Sequence, residues 1–292
     1  MTKYLQVVKE KGEGNYAKIK KCSWGGATYS LGFKRAFTLA EGATHVGICA
    51  KTRQYAFTLA EVLITLAIIG VVAAMTIPTL INNYQEKVTV TRVKKIYSTL
   101  FNAHRMIEAM NGYGSISKSY DSSKTVKENV EAVVNLYKPY FRISKDCAFE
   151  PGCLTSGYLR SLSGVEHVDY DNITNEYKLL LADGMALWFY VAPEIDTETG
   201  EEKITMNIKV DVNGYAKPYQ WGKDVFEFYI TDNATIPSGG NNSYYPFDWY
   251  CKNNLVSREA GFGCSAWVVE HGNMDYLHCD DLSWDGKHKC SD

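Results

Sequence analysis

The 292-residue sequence lacks the short motifs that mark the common enzyme sites. It contains no GxSxG, no HExxH, no phosphate-binding loop and no glycine-rich dinucleotide fingerprint. Two carboxylate pairs occur, at Asp169 and Asp171 and at Asp280 and Asp281, but such pairs are typical of solvated turns. The sequence therefore predicts a protein that does not act as an enzyme.

The sequence also has little net charge, −2, and that charge is unevenly distributed. Residues 1–56 contain ten basic and three acidic residues, whereas residues 57–292 contain 21 basic and 30 acidic residues. The acidic excess of the larger part argues against nucleic acid as a partner, because phosphate binding requires a basic surface. A basic front, an apolar run and an acidic remainder indicate a chain anchored in a membrane with its front in the cytoplasm.

Only one long apolar run is present, at residues 57–81, and it carries a single charge, Glu61. As a helix it would be roughly 37 Å long, enough to span a bilayer. The hexapeptide AFTLAE occurs at residues 36–41 and again at residues 56–61, and only the second copy leads into this run. An ionised carboxylate in hydrocarbon is costly unless it is paired, so Glu61 either has a positive partner or lies at the headgroup level.

The stretch AFTLAEVLITLAIIGVVAAMTIPTLI resembles the N-terminal signature of type IV pilins and type II secretion pseudopilins. The resemblance implies that a prepilin peptidase cuts between Ala56 and Phe57 and methylates the new terminus. It also implies that Glu61, the fifth residue after the cut, neutralises the terminal amine of a neighbouring subunit during assembly. Gly70 and Pro78 fall where these proteins carry helix-loosening residues. Ala56 stands where the family usually has glycine, so slower cleavage is expected, and the copy at 36–41 should not be cut.

Two alternatives to pilin-type processing remain open. One is an ordinary secretory signal cleaved after Val72-Ala73-Ala74, although its charged part would be unusually long. The other is an uncleaved membrane anchor. Pilin-type processing divides the chain into a removed leader (1–56), a transmembrane half-helix (57–81), an amphipathic half-helix (82–114) and an exported globular domain (115–292). The mature chain would be a single-pass protein of the inner membrane, and afterwards part of a filament in the periplasm or outside the cell.

The rest of the sequence predicts an α+β fold of the pilin type, in which a long N-terminal helix packs on an antiparallel sheet, with cysteine-containing loops at the C-terminus. Apolar residues at three- and four-residue steps continue the helix to Asn111, and a second helix is expected within residues 124–138, after a polar connection. About four strands are expected, at residues 177–182, 185–192, 203–212 and 225–230. Packing the sheet on the amphipathic half-helix would bury both apolar faces.

Two features inside this domain favour structural roles. Residues 210–230, VDVNGYAKPYQWGKDVFEFYI, resemble a D-x-N-G…P…G-x-D-x-F segment of pseudopilin-like proteins, which implies a turn and a strand rather than a binding site. His104 lies on the apolar side of the long helix, so a packed core histidine is expected.

Six of the eight cysteines follow the apolar run, in three sequence-near pairs: Cys147 and Cys153, Cys251 and Cys264, Cys279 and Cys290. Disulfides are favoured and would place this part outside the cytoplasm. Six cysteines permit fifteen connectivities, so sequential pairing is a hypothesis. The alternatives are buried thiols and a metal site, because three histidines (His271, His278 and His288) lie among the last four cysteines, although no CxxC pair is present.

No cofactor is predicted, although calcium is a candidate at Asp280, Asp281 and Asp285. The resemblance suggests it, since some pseudopilins bind calcium in a C-terminal loop. The spacing of a calcium-binding helix–loop–helix is absent, and solvated acids are the alternative.

These observations predict a structural pilin or pseudopilin subunit whose partners are other subunits, the prepilin peptidase and the lipid bilayer. A minor pilin acting as an adhesin is the first alternative. The many aromatic residues of the C-terminal third could form a carbohydrate-binding patch, although core packing is favoured. A membrane-anchored secreted enzyme is the second alternative.

Overall fold

The structure is a computed structural model that describes residues 23–24, 27–28, 58–195, 200, 202–240, 243–252 and 254–291. The chain divides into two compact units, Met1–Ile69 and Gly70–Asp292. In the first unit, β1 (Ser23–Trp24) pairs antiparallel with β2 (Ala27–Thr28). The AFTLAE copy at residues 36–41 and the predicted cleavage pair, Ala56 and Phe57, lie outside the described residues.

Helix α1 (Leu59–Asn111) runs without interruption for 53 residues and ends where the sequence predicts. In its second half one face is buried at steps of three and four residues by Val93, Ile96, Leu100, Ala103 and Ile107. The glycines at 112 and 114 both adopt positive φ, which ends the helix. The periodicity expected of an amphipathic half-helix is therefore confirmed.

His104 is packed in the core, as the sequence predicts. Its side chain is buried, and Nδ1 lies 2.9 Å from the hydroxyl of Tyr137. Burial lowers the pKa of His104, since the charged imidazolium would lose its hydration, although Glu108 partly offsets this. His104 thus joins α1 to the helix that carries Tyr137.

Two helices follow α1. Helix α2 (Ser115–Ser119) occupies a segment for which the sequence predicts only a polar connection; it forms because Ile116 is fully buried and draws the segment into the core. Helix α3 (Val126–Tyr137) confirms the second predicted helix. Its N-terminus has a capping box, in which Thr125 and Glu128 satisfy each other's backbone N–H groups.

The sheet has six antiparallel strands in sequential order. They are β3 (Ile143–Ala148), β4 (Tyr177–Leu181), β5 (Ala186–Ile195), β6 (Glu202–Asp211), β7 (Val225–Ile230) and β8 (Thr235–Pro237). The four central strands are those that the sequence predicts. The expected total of about four strands is wrong, because the two edge strands are not predicted. Strand β3 is mostly polar and exposed, and β8 is three residues long and ends in proline.

Both faces of the sheet are covered. The face towards the helices is apolar, with Leu179, Phe189, Ile208 and Phe228 fully buried. The opposite face lies under a layer of loops, which the sequence does not predict. Aromatic side chains fill this second core, among them Tyr170, Trp188, Trp221 and Phe262. Helices α4 (Phe247–Tyr250) and α5 (Ser265–His271) follow later in the chain, and their buried Phe247 and Trp267 belong to the same core as the helix-facing side chains.

The turn at Gly214 gives a stability prediction. Gly214 has φ 64°, and a Cβ built there would lie 2.1 Å from the carbonyl oxygen of Gly184. Gly184 has φ 84°, but a Cβ there would meet no atom within 4 Å. We expect Gly214→Ala to lower the free energy of unfolding by about 3 kcal/mol, and Gly184→Ala by only about 1 kcal/mol.

Urea unfolding of the full chain in non-ionic detergent measures both variants. Equal losses for Gly184→Ala and Gly214→Ala would show that the close approach of the two turns does not exist.

Candidate assembly site

The first turn of α1 places the carboxylate of Glu61. Thr58 precedes the helix, and its backbone N–H and hydroxyl donate to Glu61 Oε2 at 2.8 Å and 2.9 Å. The backbone N–H of Glu61 in turn donates to Thr58 Oγ1 at 3.2 Å. This is a capping box, the local structure that a Thr-Leu-Ala-Glu sequence favours. The carboxylate therefore turns back towards the start of the helix, where the helix dipole is positive.

The first half of α1 exposes its apolar side chains. Leu59, for example, is 78% exposed, and the other large aliphatic residues up to Ile81 are also exposed. Within the described residues, α1 is the one helix whose length and composition would let it cross a membrane. Exposing so large an apolar surface to water is unfavourable, so lipid or other helices are expected to cover it.

Gly70 and Pro78 both lie inside the first half of α1. A Cβ at Gly70 would meet no atom within 4 Å. Pro78 has no N–H to donate to the carbonyl of Ala74, so α1 lacks one internal hydrogen bond there. Both positions can loosen the helix, and their role in assembly stays a prediction.

The second half of α1 is attached to the turns of the sheet by its basic side chains. Arg92 Nη1 donates to the carbonyl of Val212 at 2.7 Å, and Lys95 Nζ lies 2.5 Å from Asp183 Oδ2. The amphipathic half of the helix is therefore fixed to the sheet by polar contacts as well as by its apolar face.

Three disulfides close loops within residues 115–292: Cys147–Cys153, Cys251–Cys264 and Cys279–Cys290. They join the cysteines in sequential order, which is the arrangement hypothesised from the sequence. The same six sulfurs are therefore not available as thiolate ligands for a metal.

Thiol counting on the exported protein tests these bonds. We expect almost no reactive thiol from these six positions under denaturing, non-reducing conditions, because secreted disulfides resist reduction. Peptide mapping should give three cross-linked pairs in sequential order. Six reactive thiols at these positions would rule the disulfides out.

The three calcium candidates lie in the Cys279–Cys290 loop but do not converge. Asp281 pairs with Lys287 at 3.0 Å, and Asp280 and Asp285 are exposed. Within the described residues no group of three or more His, Cys, Asp or Glu side chains could hold a metal. Calcium binding stays a prediction.

The aromatic residues of the C-terminal third divide into two groups. Phe247, Trp267 and Trp284 pack on one another, with ring centroids 4.1–5.9 Å apart. Tyr244 and Trp249, which precede the disulfide-bonded Cys251 in the chain, are instead 80% and 72% exposed. Core packing thus accounts for the first group only.

A buried acidic pair, which is not predicted from the sequence, lies at the 212–224 loop. Asp211 Oδ1 accepts from the backbone N–H groups of Asn213 and Gly214, at 3.1 Å and 2.9 Å. Asp224 accepts from the N–H of Gln220 at 2.7 Å and from Asn213 Nδ2 at 3.0 Å. Burial raises the pKa of Asp224 to about 7. Burial, and then the nearby charge of Asp224, raises the pKa of Asp211 well above its usual range.

A second group of buried charges ties the loop layer to the sheet. Lys209 Nζ lies 2.6 Å from Glu176 Oε1. Glu227 accepts from Asn207 Nδ2 and from the hydroxyl of Tyr229, both at 2.7 Å. Polar residues at alternate positions of β6, together with Glu227 of β7, are the sequence signal for a polar face, but the sequence does not show that loops cover it.

Two protein-family models match the chain. One is the prokaryotic N-terminal methylation motif, at residues 51–77, which is the signature of type IV pilins and pseudopilins. The other is a family of unknown function (DUF6613), at residues 79–276, more than half of the chain. Comparison with curated proteins and with solved structures gives no match.

Proposed function

Because this chain belongs to the family of unknown function DUF6613 and carries the methylation motif of pilins and pseudopilins, we propose that it is a filament subunit. In this proposal a prepilin peptidase cuts between Ala56 and Phe57 and methylates the new terminus. The mature chain then assembles through α1 into a type IV pilus or a type II secretion filament.

One observation carries the proposal: the methylation motif, at residues 51–77, covers the start of a long helix whose apolar side chains are exposed. Such a helix is stable in lipid and can later exchange lipid for the helices of other subunits. The exported domain would stay outside the hydrocarbon, joined to the second half of the same helix.

Glu61 would provide the specific contact of assembly. In the unassembled chain, Thr58 satisfies the carboxylate through the capping box. During assembly the terminal amine of a neighbouring subunit would approach the same carboxylate. The attraction between these charges is strong where the dielectric constant is low, and it favours a subunit inserted to the correct depth.

Mass spectrometry of the protein from the membranes of its host tests the processing step. We expect a mature chain that begins with N-methylated Phe57. An intact chain, a chain that begins at Phe37, or a cut after Ala74 would each contradict the proposal. Electron microscopy of sheared filaments labelled with an antibody to the exported domain tests assembly.

A minor subunit that acts as an adhesin is a second candidate, favoured by the exposure of Tyr244 and Trp249. Exposed aromatic rings stack on sugars, and the Cys251–Cys264 bond would hold these two in place. A glycan array probed with assembled filaments tests it. Binding that is lost in Trp249→Ala would support the adhesin role, and binding unchanged in that variant would oppose it.

A further inference from the structure

A polar groove of about 300 Å³ lies between α1 and two loops of the exported domain. Its α1 wall consists of Asn82, Gln85, Glu86 and Thr89, which the helical repeat places on one face. Lys223, Leu277 and His278 line the opposite wall. The groove lies entirely within the second compact unit.

The groove begins where the apolar run ends. Asn82 directly follows Ile81, and Gly70–Ile81 belongs to the same unit as the groove. The headgroup layer is about 5–8 Å thick on each side of the hydrocarbon. At 1.5 Å per residue, the groove wall at residues 82–89 rises by about 12 Å. If residues 57–81 span the membrane, as the proposed function requires, the groove begins in the headgroup layer of the outer leaflet and opens towards its outer edge.

Several hydrogen-bond donors in the groove lack partners. Lys223 makes no ion pair within the part of the chain that the structure describes. The side chains of Asn82, Gln85 and Thr89 make no hydrogen bond to any described residue. The one carboxylate of the groove, that of Glu86, faces His278, whose Nε2 lies 2.9 Å from Glu86 Oε1. The groove therefore offers two amides and a hydroxyl without hydrogen bonds to described residues, and an ammonium whose charge also acts on the neighbouring Asp224 but forms no ion pair there.

We propose that this groove binds the headgroup phosphate of an anionic phospholipid, such as phosphatidylglycerol. The ammonium supplies the charge that attracts the phosphate, and the amides and the hydroxyl supply directional hydrogen bonds. Binding would fix the rotation of α1 about its axis and the depth of Ile81 before the subunit enters a filament. A lysine at an anionic membrane surface strengthens association about fivefold.

The full chain in nanodiscs of equimolar phosphatidylcholine and phosphatidylglycerol provides the test. Native mass spectrometry counts the lipids of each kind that remain bound after release from the disc. We expect phosphatidylglycerol to be retained preferentially, Lys223→Gln to reduce that preference about fivefold, and Lys223→Arg to keep it. Lys118→Gln is the matched control, because Lys118 follows the far end of α1, about 45 Å along the helix from Ile81.

The outcomes separate this inference from the proposed function. Equal retention of the two lipids by the wild-type chain, or the same loss of preference in Lys118→Gln as in Lys223→Gln, would overturn the headgroup site. If alkaline extraction releases the chain from membranes, both the site and the proposed function fail. An embedded chain that begins at methylated Phe57 but shows no preference would overturn the site alone.

Discussion

Replacing Glu61 with alanine is expected to abolish filament assembly while leaving the cut between Ala56 and Phe57 largely intact. Removing one partner of a charge pair in a low-dielectric environment leaves the other uncompensated, at a cost of about 3–5 kcal/mol, or a hundredfold or more in the equilibrium. The fraction of subunit in sheared filaments measures assembly. Mass spectrometry of the membrane-bound pool measures cleavage.

Two further variants separate the charge of Glu61 from its capping role. Glu61→Gln keeps an oxygen that can accept from Thr58 but removes the charge, so it should fail to assemble like alanine. Thr58→Val removes the capping box and keeps the carboxylate, so it should weaken the first turn by about 1 kcal/mol and still assemble. Normal filaments from Glu61→Ala would refute the pairing, and so would a defect in Thr58→Val as severe as that of Glu61→Gln.

The elements that the sequence predicts correctly are those specified by local signals. Helix α1 shows an apolar repeat up to Asn111 and then two glycines, and the burial of Val93, Ile96 and Leu100 follows that repeat. Strands β4 to β7 combine alternating or continuous apolar residues with turn dipeptides, Asp183-Gly184 and Asn213-Gly214. In each case the residues that decide the structure lie within one turn or one hairpin.

The missed elements depend on residues that are distant in the sequence. Strand β3, with the sequence ISKDCA, carries little apolar pattern of its own and is ordered by pairing with β4, in which Ile143 faces Leu181. The loop layer is fixed in the same way: Arg160 and Trp221 pair through their backbones across sixty residues. No window of the sequence contains both partners.

In the candidate assembly site, too, some features are visible in the local sequence and others depend on the folded structure. The isolated charge of Glu61 in an apolar run is visible in the sequence, but its bond to Thr58 requires the geometry of the helix start. The sequence also shows basic residues just beyond the apolar run, on the side where export is expected and positive charge is unusual. The structure accounts for two of them, because Arg92 and Lys95 bind Val212 and Asp183 of the sheet turns.

The buried pair Asp211 and Asp224 gives the stability of the folded chain a predicted dependence on pH. Burial raises the pKa of Asp224 from its ordinary 3.8 to about 7. Between these values the folded chain holds a proton that the unfolded chain releases, so stability is fully present below about pH 4 and falls until about pH 7. The stability that the protonated Asp224 carboxyl contributes is therefore lost as the pH rises over this range.

Other charged groups also affect how the stability changes with pH. Arg92 of α1 lowers the pKa of Asp211, and Lys223 of the same loop lowers that of Asp224, but burial outweighs both. Burial lowers the pKa of His104 and His167, so these two contribute stability that rises with pH. Since the histidines are present in every variant, the difference between wild type and a substitution at Asp224 reports the Asp224 carboxyl together with its effect on the pKa of Asp211.

Asp224→Asn is expected to flatten the fall in stability between pH 4 and pH 7 and to be at least as stable as wild type at pH 8. The new amide can keep its oxygen on the N–H of Gln220. Because Asn213 Nδ2 faces the Asp224 carboxylate, the Asn213 amide must rotate by 180°; its Oδ1, which has no partner among the described residues, then accepts from the new amide nitrogen. Urea unfolding of the full chain in non-ionic detergent between pH 4 and pH 8 measures the effect. Asp280 is exposed, so Asp280→Asn is the matched control and should keep the wild-type dependence of unfolding free energy on pH. If the unfolding free energies of wild type and Asp224→Asn change in parallel with pH, Asp224 does not hold the proton.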